Sequence, residues 1–321
     1  MNCSSKGRMK LLYDIQESCN RRLQQMGFTA ESYLLPGGLG IKFKGQPPSN
    51  LHDLYELPII ECDLSVLENF DLQSLNPEKI SSLVLPHKTK IPFTKLNSFN
   101  LVRLKAFATA STDFEKLAGH PLEILELPNS SLQDIRFCEK MPLRILNLAG
   151  AQISRFHPLK KAKLTILNLF KTRIEEMNEL NCESMEEIVL SGSPISNISF
   201  LTEANKLRKV EIRGTPVNDL SPLANCPIEE LHLPGSHVKS IDCLAYLPIK
   251  TLNIIGIVLK DIHCLSTLPL KSLAISPEVL RKEDYEFLAN LNIQFLRGPG
   301  DPPAQTAEEF FYKHTNPSVL E

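Results

Sequence analysis

Apolar residues fall on a fixed pattern through most of the chain. From Pro121 they run Leu122, Leu125, Leu127, Leu132 and Ile135, and the same offsets return at Leu143, Leu146, Leu148, Ile153 and Phe156. The shift is 21 residues, and it continues through Leu164/Leu167/Leu169 and Met185/Ile188/Leu190. A 22-residue step leads to Leu207/Val210/Ile212, after which Ile228/Leu231/Leu233, Ile249/Leu252/Ile254 and Leu270/Leu273/Ile275 follow at 21. Backwards, the register reaches Leu101/Leu104/Ala106, Ile80/Leu83/Leu85 and Ile59/Cys62/Leu64, and fades near Ile41 and Phe43. A period of this length means stacked units, none able to bury its apolar stripe alone. The alternation at each Leu-x-Leu predicts a short strand, and because every unit returns the same way the strands are predicted to run parallel.

The ends read differently. Leu11, Ile15, Cys19, Leu23 and Met26 recur at helical spacing, which predicts a capping helix over 9–26. Tyr285, Phe287, Leu288, Phe295, Phe310 and Phe311 are available to cover the last turn. The expected organisation is a capping helix and linker over 1–37, repeats over 38–290, and a cap and tail over 291–321.

The string Leu-x-x-Leu-x-Leu, as in 143–148, 164–169 and 249–254, resembles the leucine-rich-repeat signature, and about 250 residues share it. The segment Val217-Asn218-Asp219-Leu220-Ser221-Pro222-Leu223 looks like the short bacterial, internalin-like subtype. It is also similar to the repeat region behind some bacterial serine/threonine kinases. The resemblance implies an α/β leucine-rich-repeat solenoid, or horseshoe. Its concave face would be a curved parallel β-sheet and its convex segments short helices or irregular chain. The family's usual turn Asn is replaced here by the row Ser130, Ala151, Thr172, Ser193, Thr215, Ser236 and Ile257. Hydroxyls reach less far than amides, and Ile257 predicts a locally irregular turn.

On this register the outward strand positions form three rows. An apolar group, Phe107, Ile124, Ile145, Ile166 and Phe170, is followed by charged Glu187, Lys209, Glu211, Arg213, Glu230 and His232, with Arg103, Lys105, Glu126, Asn147 and Asn168 among them. Exposed apolar groups of this kind mark interaction sites. The expected function is therefore a non-catalytic module binding a protein or peptide on its concave face. The alternative is a sensory or regulatory domain associated with a bacterial kinase, and flanking segments covering this face would remove the site.

Composition narrows the classes. With 35 Lys+Arg against 37 Asp+Glu the net charge is −2, which argues against nucleic acid as a partner. No apolar run approaches the roughly 18 residues of a membrane span, and Tyr13, Asp14, Gln16 and Glu17 interrupt any secretory core. A cytoplasmic monomer with reduced thiols, no membrane and no cofactor is expected; the eight cysteines contain no C-x-x-C pair.

Catalytic motifs are missing. The segment 37–42 fits no phosphate-loop spacing and reads as a turn before the first strand. Asp113-Phe114-Glu115 lacks the Gly of the kinase triplet and puts Phe114 in the core. One cluster, Asp242 and Cys243 with His263 and Cys264 a unit later, has ligand types for a metal or two thiols for a disulfide. Pro158, Phe200 and Pro222 hold the cysteine row elsewhere, so no metal is assigned and an enzyme built on this cluster is the minor alternative.

Overall fold

The computed structural model describes residues 5–46, 51–68, 70–178 and 180–315. The chain divides into two compact units, 1–151 and 152–321.

The first unit opens with helix α1 (Ser5–Gln25), followed by strands β1 (Ala30–Leu35), β2 (Gly38–Phe43), β3 (Ile59–Asp63), β4 (Ser82–Leu85), β5 (Arg103–Ala106), β6 (Ile124–Glu126) and β7 (Ile145–Asn147). β1 and β2 form an antiparallel hairpin, and from β2 onward each strand pairs parallel with the next in chain order. The turn falls at Pro36-Gly37, and Gly38–Phe43 is itself strand, so 37–42 is largely not the turn that the sequence predicts. β1 escaped the sequence reading because its outward and inward positions are not on the 21-residue register.

Helix α1 caps the sheet with only part of its apolar stripe. Cys19 and Leu23 are buried, whereas Leu11 is 59% and Ile15 36% exposed. The helix also closes the sheet edge. Asn20 Oδ1 accepts the backbone N–H of Ser32 at 2.9 Å, and the Gln16 amide donates to the Ser32 carbonyl at 2.7 Å. Two backbone groups on the edge strand are thereby satisfied rather than left as a template for another strand.

The second unit continues the pattern with β8 (Ile166–Asn168), β9 (Glu187–Val189), β10 (Lys209–Glu211), β11 (Glu230–His232), β12 (Thr251–Asn253) and β13 (Ser272–Ala274). Helix α2 (Lys282–Ala289), strand β14 (Phe295–Arg297) and helix α3 (Ala307–Thr315) complete it. Its strands are parallel and paired in chain order, β14 against β13 included. In both units most of the segments opposite the strands are single 3₁₀ turns, such as Phe114–Leu117 and Ser221–Leu223.

The repeated apolar positions form the core. Leu104, Leu125, Leu146, Leu167, Ile188, Val210 and Leu231 are each fully buried. Cys138, which takes the place of a repeat leucine, is fully buried as well.

The turn after each strand is held by backbone. A left-handed residue recurs at Lys88, Ala108, Asn129 and Gly150 in the first unit, and at Lys171, Gly192, Gly214, Gly235 and Gly256 in the second. In six of these turns its N–H donates to a carbonyl of the next turn: Lys88 to Phe107 at 3.1 Å, Ala108 to Pro128 at 2.7 Å, Asn129 to Ala149 at 2.6 Å, Lys171 to Ser191 at 2.9 Å, Gly192 to Arg213 at 2.7 Å and Gly214 to Pro234 at 2.8 Å. The hydroxyl row does a different job. Thr172, Ser193 and Thr215 donate to the carbonyl three residues earlier in their own turn, at 2.9, 2.6 and 2.8 Å. The turn at Ile257 is regular, contrary to the sequence expectation. Gly256 has φ +73°, like Gly150, and Ile257 donates its N–H to Ile254 at 3.1 Å while its side chain is buried. The Gly256 N–H reaches the next turn through the Ser276 hydroxyl, at 2.9 Å, rather than through a carbonyl, so the junction does not draw on the side chain at 257 and an aliphatic residue fits there.

Candidate functional site

The strand register places the predicted residues on the face opposite the core. In the first unit Arg103, Ile124 and Ile145 are neighbours across β5, β6 and β7, and Lys105, Glu126 and Asn147 lie beside them. In the second unit Ile166, Glu187, Lys209 and Glu230 align across β8 to β11, and Asn168, Val189, Glu211 and His232 form the parallel row. The sequence register gives both rows, and the three-residue strands of this set bury their central residue and leave the two flanking ones partly exposed, while β5 buries Leu104 and Ala106 and leaves Arg103 and Lys105 partly exposed. Phe107, Phe170 and Arg213 follow their strands. Phe107 stacks on His87 with ring centroids 3.9 Å apart, and Phe170 is 39% exposed beneath the Lys171 ammonium.

Two of the predicted binding residues have structural work. Asn147 Oδ1 accepts the N–H of Ala149 at 3.1 Å, and Asn168 Oδ1 accepts that of Phe170 at 3.0 Å. Asp63 and Asn253 do the same for Ser65 and Ile255. Asn and Asp favour such turns, two residues on.

In the first unit the face carries a polar network. The buried Glu61 carboxylate accepts the hydroxyls of Tyr33 and Ser82 and lies 3.6 Å from the Arg103 guanidinium. Arg103 also approaches Glu126 at 3.4 Å, and Lys105 reaches Glu126 at 3.5 Å. Burial, then the Glu61 carboxylate, pushes the Tyr33 hydroxyl above its ordinary range. The Tyr33 ring covers Gly40 so closely that a Cβ there would lie 2.2 Å from it. Sequence reasoning missed Tyr33, Glu61 and Ser82. The signal for the last two was present, since they precede Arg103 by 42 and 21 residues in its own row.

In the second unit Lys209 bridges Glu211 at 3.2 Å and Glu230 at 3.3 Å, while His232 Nε2 lies 2.7 Å from Glu230. The ligand atoms of Glu211, Glu230 and His232 fall within 4.8 Å of one another, the one such group among the described residues. It has donors suited to a divalent cation, but the Lys209 ammonium already stands against both carboxylates. Burial raises the Glu230 carboxyl, and the His232 and Lys209 contacts outweigh it to leave the group below its ordinary range.

The other predicted cluster brings Asp242 and Cys243 near Cys264 but forms no group of three ligand atoms within 4.8 Å among the described residues. His263 Nδ1 contacts Asp261 at 2.5 Å and its ring lies against Phe287, while Asp242 accepts the Ser240 hydroxyl. Cys243 and Cys264 are free thiols; burial raises both, Cys264 to about 12 with Asp242 and Asp261 adding to it. Thiols raised in this way are poor ligands and nucleophiles at neutral pH. The Asp113 carboxylate accepts the N–H groups of Phe93 and Thr94, both at 3.0 Å, and Phe114 is buried, so the kinase-like triplet is turn and core. Cys3 lies outside the described residues. Among the described residues no helix is long and apolar enough to cross a membrane.

No protein-family model matches the sequence, and no curated protein does either. Solved structures do. A leucine-rich-repeat protein of Leptospira interrogans superposes with a TM-score of 0.60 at 15% identity, over 87% of this chain and 81% of that one. The functional domain of InlJ from Listeria monocytogenes gives 0.50 at 16%, over 71% of this chain and 55% of its own. An internalin, inlF, of the same organism gives 0.47 at 19%, over 72% and 85%. Taken with the 21-residue register and the parallel strands in chain order, the Leptospira match establishes that this chain has the leucine-rich-repeat fold.

Proposed function

We propose that the chain is a non-catalytic interaction module that holds a protein or peptide against the outward face of its strands. The observation that carries this reading is that face itself, where strand after strand presents partly exposed side chains in aligned rows. In the first unit Ile124 and Ile145 lie side by side as an apolar step next to the Arg103–Glu126–Lys105 charges. In the second, Phe170 and Arg213 are exposed just after β8 and β10, and Glu187 on β9 is half-buried. Aromatic, aliphatic and Arg anchors beside polar groups are what partner surfaces use. The His232 and His263 rings each contact a carboxylate, Glu230 and Asp261.

The test is capture of binding proteins by wild type, by an Ile124→Glu/Ile145→Glu variant and by a Phe170→Glu/Arg213→Glu variant, each checked by circular dichroism. The expected result is a partner bound by wild type and lost from at least one folded variant. Partners retained equally by all three would refute the assignment to this face.

A further inference from the structure

The first unit also has a groove among the loops that leave β3 and β4. Its volume is about 860 Å³, within the range of ligand-sized clefts. One wall is Ser65, Val66, Leu67, Glu68 and Phe70, of which Val66 is 44% exposed and Phe70 half-buried. The other carries Lys88, Lys90 and Lys95, all exposed. Glu68 is the lone carboxylate in the lining. None of these three lysines makes an ion pair among the described residues, although the face of the sheet beside them is laced with such pairs. The nearby Asp113 carboxylate is engaged by the Phe93 and Thr94 N–H groups instead. A chain of net charge −2 therefore concentrates an unneutralised positive charge at one apolar-walled groove.

The lysines are presented by rigid backbone. Lys88 sits in the left-handed region at φ +55° with its N–H on the Phe107 carbonyl at 3.1 Å. Thr89, between Lys88 and Lys90, is buried, and its Oγ1 accepts the Ile91 N–H at 3.2 Å. The opposite wall is tied down where the Gln46 amide donates to the Val66 carbonyl at 2.9 Å. Only the lysine side chains have to order when a ligand arrives, which lowers the entropic cost of binding.

We infer that this groove takes an acidic peptide segment bearing an apolar side chain, with carboxylates against Lys88, Lys90 and Lys95 and the apolar group against Val66 and Phe70. Charge complementarity identifies the occupant. Glu68 opposes a dense row of phosphates, and the apolar wall gives a peptide side chain what a phosphate backbone lacks. The inference does not rest on the strand-face proposal, because the lysines and the Val66 and Phe70 side chains belong to the loops after β3 and β4 and not to the strand rows.

The probe is a fluorescein-labelled peptide, EEDLFEED, titrated with the full chain and followed by anisotropy. Saturable binding is expected at low salt, weakening as the Debye length shrinks. Lys88→Glu/Lys90→Glu/Lys95→Glu should weaken it at least about tenfold, as a loss of several ion contacts implies. The milder Lys90→Gln/Lys95→Gln variant should fall between, and serves if the triple variant misfolds. Val66→Asp should weaken the same peptide, and a peptide with Ser for its Leu and Phe should bind wild type less well. Undiminished binding to the lysine variants, or no saturable binding to wild type, overturns the proposal. Tighter lysine-dependent binding of an oligonucleotide of equal charge would overturn the choice of a peptide.

Discussion

Gly256→Ala and Gly150→Ala form a matched pair that tests the left-handed turn. Both glycines have φ +73°. A Cβ at Gly256 meets nothing within 4 Å, whereas at Gly150 it would lie 2.1 Å from Asn129 Oδ1. An L-residue in the left-handed region costs about 1–2 kcal/mol. Replacing Gly also narrows the unfolded ensemble, which returns about 0.4–1 kcal/mol. The net for Gly256→Ala is then a destabilisation of at most about 1.6 kcal/mol, centred on about 0.8 kcal/mol. Gly150→Ala adds the displacement of the Asn129 side chain, about 0.5–1.5 kcal/mol if it is pushed off its rotamer. In an Asn129→Gly background the Gly150→Ala cost should drop to the Gly256→Ala value, because the obstructing oxygen is gone. The assay is urea unfolding followed by circular dichroism, with the slope checked for constancy so that midpoint shifts report stability. Gly256→Ala that is stabilising would refute the left-handed assignment. Equal costs in the two single variants would refute the placement of Asn129.

Leu167→Ala, fully buried on β8, should cost about 2–5 kcal/mol as a cavity in a packed core, measured by the same unfolding transition. Asn168→Ala next to it should cost about 1 kcal/mol, the net worth of its hydrogen bond to the Phe170 N–H; no effect would mean that this bond does not hold the turn. Cys62, Cys138, Cys182 and Cys226 are buried thiols raised by burial, Cys226 to about 11 and Cys182 to about 12, so iodoacetamide at pH 8 should leave them unmodified in the native protein and alkylate them in urea, as peptide mass mapping would read. At the C-terminal end, burial raises the Asp301 carboxyl, but Lys313 and the Gly298 N–H overcome it and leave the group below its ordinary value. A depressed carboxyl stabilises above its unfolded pKa and loses that contribution as pH falls through the folded value. Amide exchange in α3 should therefore accelerate below about pH 4, and Asp301→Asn should remove that pH dependence.

The 21-residue register was legible because the core is one-dimensional: each leucine contacts its counterparts one unit away, so burial repeats with the sequence. It placed Leu125, Leu146 and Leu167 in the core and Ile124, Ile145 and Glu187 outside. What it could not place depended on contacts off that period. β1 pairs antiparallel and carries no repeat leucine, and Tyr33 reaches Glu61 only because Gly40 leaves room for its ring. The left-handed row was half visible, as Gly150, Gly192, Gly214, Gly235 and Gly256 in register, but Lys88, Ala108, Asn129 and Lys171 hid its extent. The missing Asn row is no defect, because the N–H of the left-handed residue joins most turns to the next.

The division of labour along the face bears on where affinity can come from. Asn147 and Asn168 have their side-chain oxygens committed to turn backbone, and Lys209, Glu211, Glu230 and His232 neutralise one another within a single cluster. A partner that engaged this cluster would have to replace contacts already made, so these groups favour specificity over gain in affinity. Ile124, Ile145, Phe170, Glu187 and Arg213 make no such ion pair among the described residues, and contact to them costs no existing bridge. Truncating one of these should weaken a partner more than truncating Glu211 does, measured as dissociation rates of the captured complex. The reverse order would mean that the charged cluster, opened by the partner, carries the binding.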